Sequence, residues 1–120
     1  MTQEEKQLLF KDLCGRLPYE VKINIKSDYT REMEDTKLTP YHLDGLGYNV
    51  EYRNLRPYLR PMSSMTEEEW DEYGDLYDPF RDKQEFHEII DWLNTHHFDY
   101  RGLIEKGLAL EAPEGMYKTE

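Results

Sequence analysis

The chain has 120 residues, 38% of them apolar and 34% charged, and a net charge of −11. This is one domain's length, and ten Tyr, four Phe and two Trp exclude a disordered acidic chain, which lacks the aromatic surface to build a core. The negative charge repels phosphate and anionic lipid, so neither direct nucleic-acid binding nor docking on an acidic membrane is expected.

In chain order, Thr2-Gln3-Glu4-Glu5 is a capping box, in which the Thr hydroxyl takes the amide of Glu5 and the Glu side chain reaches back. Leu9 and Leu13 follow one helical turn apart with Leu8 beside them, so a helix is predicted over 3–14, stopped at Gly15 and Pro18. The run Glu20-Val21-Lys22-Ile23-Asn24-Ile25-Lys26 alternates strictly, with β-branched apolar positions, and predicts a strand with one wet face. Residues 27–36 are polar without a period and read as a loop or hairpin tip. Residues 37–43 read as a second strand, which Pro40 would confine to an edge. A turn is predicted at 44–47, and the alternation in Tyr48-Asn49-Val50-Glu51-Tyr52 predicts a third strand.

Pro57 and Pro61 make 53–65 an extended crossing segment, since neither can donate to a ladder and each restricts the residue before it. Thr66-Glu67-Glu68-Glu69 is a second capping box, opening a helix that carries Trp70, Tyr73 and Tyr77 and ends at Pro79. Asp82-Lys83-Gln84-Glu85 is a third, followed by the stripe Phe86, Ile89, Ile90, Leu93, the strongest helical pattern in the chain. Asn94 begins the exit, Asp99 caps a short turn through Leu103 and Ile104 that Gly107 ends, and 108–110 is a final short strand. The tail from about 114 is expected to fray. This order lacks the regular alternation of a parallel sheet. It predicts one α+β domain over 1–120, a small antiparallel sheet of three to four strands packed with three main helices around one core.

The single cysteine, Cys14, excludes an internal disulfide and reads as a small core thiol. The opening MTQEEKQLLF has no signal-peptide apolar run, and no stretch reaches the about 20 apolar residues of a membrane helix, so a cytoplasmic location is expected. Charge is unevenly spread. Residues 66–85 hold nine carboxylates against two cations, directly after 51–65 with Arg53, Arg56 and Arg60 against Glu51. The simple reading is charge complementarity within the chain; the functional one is two patches of opposite sign, one of which docks a partner.

His87, Asp91, His96 and His97 suggest metal or acid–base chemistry, but no HExxH is present and one cysteine leaves no thiolate zinc set. His96-His97 at a helix end reads better as a protonated cap facing the negative dipole. The carboxylates at 67–72 read as a solvated face, no glycine-rich phosphate loop exists, and Ser63-Ser64 has no nucleophile elbow around it. No catalytic residue, metal or cofactor is assigned. Tyr and Arg dominate interface hot spots, so the candidate partner contacts are Arg56, Tyr58, Arg60, Trp70, Tyr100 and Arg101.

Three segments, DLCGRLPY (12–19), RPYLRPMSSMTEEE (56–69) and WLNTHHFDYRGLIEKGLALEAPEGMY (92–117), resemble those of a group of small proteins without assigned activity from gut Bacteroidales genomes and their phages or mobile elements. The resemblance implies an accessory protein of such an element and carries over no functional residue. Three functions follow as expectations: a non-enzymatic protein–protein interaction module; an acidic inhibitor that imitates nucleic acid; and a small His/carboxylate hydrolase or nuclease. A protein partner is expected on the first, and a homo-oligomer is compatible with an aromatic-rich domain of this size.

Overall fold

The computed structural model describes residues 1–44, 48–76 and 86–117. Helix α1 spans Gln3–Arg16, and both arms of the Thr2/Glu5 capping box are formed. It runs two residues past the predicted stop, because Gly15 stays helical and Leu17–Tyr19 tightens into a 3-10 turn. Strand β1 (Lys22–Lys26) and strand β2 (Met33–Lys37) form an antiparallel hairpin. Helix α2 is Tyr48–Tyr52, strand β3 is Arg56–Leu59, helix α3 is Glu67–Leu76, helix α4 is Phe86–Thr95, and strand β4 is Leu110–Glu111.

The sheet has the order β2-β1-β3-β4. Both pairings of β1 are antiparallel, but β3 and β4 run parallel, so the α+β fold carries a mixed sheet instead of a wholly antiparallel one. The turn through Gly107 and the segment before it bring the chain back to the same end at which β3 starts. The Asp99 carboxylate builds that turn as expected, accepting from the amides of Leu103 and Ile104 at 2.8 and 3.0 Å. Gly107 adopts φ 74, the left-handed conformation that glycine takes without strain.

Three local readings give way to tertiary contacts. The polar run expected to be loop supplies β2, exposed at every position. An edge strand with both faces wet has no apolar alternation to betray it. The strand predicted over 37–43 is instead a 3-10 turn over Pro40–Leu43, with the Thr39 amide donating to His42 Nδ1 at 3.0 Å. The strand predicted at 48–52 is helix α2. Its Val50 is buried, whereas Tyr48 and Tyr52 are exposed and pack against each other one helical turn apart. Pro57 lies in a strand flanked on both sides, and β4 joins β3 only from Tyr58 onward, one residue past the missing N–H.

The second capping box is present: the Glu69 amide donates to Thr66 Oγ1 and the Thr66 amide to Glu69 Oε1. The third, at Asp82–Glu85, lies outside the described residues. The buried apolar side chains fall into two clusters. The larger holds Leu9, Leu13, Val21, Ile23, Ile25, Val50, Leu55, Leu59 and Leu103 between α1, the sheet and α2. The smaller holds Met65, Ile89, Leu93 and Phe98 between α3 and α4. Between them runs a polar seam. Asp12 and Arg16 are both fully buried on α1 and joined at 2.7 Å; Arg16 Nη2 donates to the Phe98 carbonyl, and Arg101 Nη1 donates to the second Asp12 oxygen. Asn94 and Tyr100 close the seam through a 2.9 Å hydrogen bond.

The tail is tied down as far as Tyr117. The Tyr117 hydroxyl takes the Lys22 amide and donates to the Tyr58 carbonyl, both at 2.8 Å, and its ring stacks on His97 at 3.8 Å. No helix among the described residues is long and apolar enough to cross a membrane.

Candidate functional site

The β1–β2 turn is held by its own amides. Ser27 N donates to Glu32 O, Arg31 N to Ser27 O, and the amides of Tyr29 and Thr30 both reach Ser27 Oγ. Arg31 sits at φ 63, a conformation a non-glycine residue adopts only where its surroundings hold it. Helix α2 docks beside this turn. The Lys26 amide donates to Arg53 O at 2.8 Å, and the Arg53 Nε returns a hydrogen bond to Lys26 O at 2.8 Å. Arg53 Nη1 also reaches Asn49 Oδ1, and Asn49 Nδ2 donates to His42 O.

This docking leaves a cleft of about 300 Å³. One wall is Lys26, Ser27, Asp28 and Arg31 of the turn; the other is Tyr48, Tyr52 and Arg53 of α2. The two tyrosines have ring centroids 5.4 Å apart and are 50% and 65% exposed. Tyr29 stands on the tip of the same turn at 97% exposed. Here exposed rings stand beside three cations, in a chain whose net charge is −11.

The six contact residues expected from the sequence lie elsewhere. Arg56 is half-buried, bonded to the carbonyls of Leu55, Val50 and Gly107, and its burial pushes its pKa down. The Tyr58 hydroxyl donates to Asp35 Oδ1 at 2.7 Å, and Asn24 Nδ2 donates to the same oxygen, so one carboxylate links three strands. These bonds, Asn24 first, hold the Asp35 carboxyl below its usual range. Arg60 grips Glu69 through both oxygens at 2.8 and 2.7 Å while its guanidinium lies over the Phe98 ring. Tyr100 and Arg101 belong to the Asp12 seam. Trp70 alone of the six is an exposed ring, at 50%.

Among the described residues, charge complementarity between the arginine run and the acidic helix is thus formed at Arg60 with Glu69. Arg53 turns to Asp28 and Arg56 to carbonyls. The Arg60 bonds, with the Thr66 amide, hold Glu69 down to about 2. Glu72 accepts from Trp92 Nε1 at 3.0 Å, and Glu67, Glu68, Asp71 and Asp75 are exposed, the solvated face the sequence suggested.

His96 and His97 turn to different partners. His87 is exposed, His96 packs on Trp92 with Nδ1 3.3 Å from Glu69, and His97 faces Tyr117. Asp91 accepts from the Tyr19 hydroxyl. No metal-holding group of three or more ligands occurs among the described residues. Cys14 is exposed on α1, not a core thiol, and Ser64 Oγ is spent on the Pro61 carbonyl.

His97 is a structural residue of a different kind from that expected. It stands at φ 63 just past α4, where its amide reaches Asn94 O and that of Phe98 reaches Leu93 O, closing the helix end. It is buried, and burial, together with the nearby charges of Arg16, His96, Arg60 and Lys22, pushes its pKa down to about 4. The ring is therefore neutral at pH 7 and not a protonated partner of the helix dipole. The unfolded chain binds this proton near pH 6.5 and the folded one only near 4. The stabilisation is complete above pH 6.5 and is lost as pH falls towards 4, by roughly 3 kcal/mol. In urea titrations across pH 7 to 4, His97→Phe is expected to remove this slope; an unchanged slope would assign it to other groups.

No protein-family profile, curated protein or solved structure matches the chain. The cleft has no local signature, because its walls are about twenty residues apart in the chain and the alternation of 48–52 is that of a strand. The local signal is the Tyr48/Tyr52 spacing: i, i+4 brings two rings into contact on a helix, whereas on a strand it leaves them on one face about 13 Å apart.

Proposed function

We propose that this protein is a non-enzymatic interaction module that docks a protein partner on the face formed by the β1–β2 turn and α2. The observation that carries the reading is the exposed Tyr48/Tyr52 pair set beside Lys26, Arg31 and Arg53 across an open cleft. Such rings supply rigid contact area at little cost in side-chain entropy, and Tyr and Arg are the residues on which interface energy concentrates. The separate surroundings of His96, packed on Trp92, and His97, stacked on Tyr117, support a binding role over hydrolysis. The imitation of nucleic acid by the acidic stretch has weaker support, because Glu69 is spent on Arg60 and Glu72 on Trp92.

The test is a comparison of variants in affinity capture from native host extract. Tyr48→Ala/Tyr52→Ala is expected to fold with an unchanged far-UV spectrum and to lose a partner that wild type and Trp70→Ala both retain. Loss through Trp70→Ala alone would move the interface to α3 and refute this face.

A further inference from the structure

We propose that the cleft between the β1–β2 turn and α2 accepts an acidic segment of the partner protein, carrying side-chain carboxylates next to an aromatic residue. This rests on the reading of that face as the contact surface, and adds the chemistry of what it contacts.

Three cations and one carboxylate line the cleft, a local positive excess within a chain of net charge −11. At physiological ionic strength charges beyond about 8 Å are largely screened, so the near groups decide which ligand is drawn in. The three cations are not equivalent. Arg53 is committed to Lys26 O and Asn49 Oδ1 and lies 3.4 Å from Asp28, so it shapes the floor. Lys26 and Arg31 enter no ion pair among the described residues. Their side chains are the groups left to meet an anion. The tilted Tyr48/Tyr52 pair offers ring faces to an aromatic neighbour of that anion.

Carboxylate fits better than phosphate for two reasons. Phosphate sites gather converging backbone amides, whereas the amides of Ser27, Tyr29, Thr30, Arg31 and Glu32 are all spent inside the turn. A dianion would also meet the Asp28 carboxylate, which a singly charged group on a flexible peptide can step around.

The probe is a short capped peptide with glutamates flanking one tryptophan, titrated into ¹⁵N-labelled full-length protein, with its glutamine counterpart as control. Amide shifts are expected in residues 26–31 and 48–53. Binding should weaken about tenfold or more for the glutamine peptide and for Lys26→Gln/Arg31→Asn, and with added salt. Equal binding of both peptides, lost only in Tyr48→Ala/Tyr52→Ala, would overturn the charge assignment and leave the contact face standing. Shifts confined to other residues, or none, would overturn the inference on its own terms; if the capture experiment still shows the tyrosine dependence, the contact face survives. Inorganic phosphate displacing the peptide better than acetate would overturn the carboxylate class. Concentration-dependent dimers in light scattering, abolished by Lys26→Gln/Arg31→Asn, would place a second copy's acidic helix in the cleft and overturn the assignment to a foreign segment.

Discussion

Asp12→Ala is expected to destabilise the fold by about 3–5 kcal/mol, the cost of breaking a buried ion pair by removing one partner. The Asp12 carboxylate is fully buried and accepts from Arg16 Nε and Arg101 Nη1, both at 2.7 Å. Without it the Arg16 guanidinium stays buried, held only by the Phe98 carbonyl and the Tyr100 ring. Its Nη1 already lacks a hydrogen-bond partner, so there is no spare acceptor to take up the charge. Arg101→Ala should cost less, because that side chain is 23% exposed and its loss leaves Asp12 paired with Arg16. Replacing Asp12 and Arg16 together by Leu and Met should recover part of the loss, since an apolar pair leaves no orphaned charge. Urea denaturation followed by circular dichroism reads all three. A loss below about 1 kcal/mol for Asp12→Ala, the scale of an exposed pair, would mean that water reaches the seam.

Phe98→Ala is the second large effect, expected at about 3–5 kcal/mol. Phe98 is fully buried in the smaller cluster, stacked on Trp92 at 5.8 Å, with the Arg60 guanidinium 4.3 Å above its ring. Its flanks are tied to β3's extension: Arg60 N donates to His97 O and Asp99 N to Arg60 O, each at 2.8 Å. The cavity therefore opens where the backbone cannot collapse to fill it, which places the cost high in the range for such changes. Phe98→Leu should lose much less. The near-UV signal of Trp92 should change in Phe98→Ala before unfolding begins; an unaltered signal with a small stability loss would show that the two clusters pack independently of this ring.

The seam also explains why a sequence expected to form one core forms two clusters. Asp12 and Arg16 lie on the face of α1 that looks towards Phe98, so that face cannot join the two apolar groups directly.

What the sequence determined by itself is short-range. The capping boxes at Thr2 and Thr66, the alternation in β1, the stripe in α4 and the Asp99 turn are each encoded within a few residues, and each is present. The α+β class follows from their order. Only the tertiary structure decided the rest. Strand β2 has no apolar face and exists because β1 offers it a ladder. Residues 48–52 alternate like a strand, yet Val50 is drawn into the core, Asn49 binds Arg53 and His42 O, and the segment becomes a helix. Arg60, Tyr58, Tyr100 and Arg101 were legible as chemically active side chains, but their partners Glu69, Asp35, Asn94 and Asp12 come from elsewhere in the fold and turn them inward. The cleft is the reverse case. Its cations and rings look ordinary in the sequence, and they meet only because the Lys26 and Arg53 backbones are hydrogen-bonded across the gap between the turn and α2.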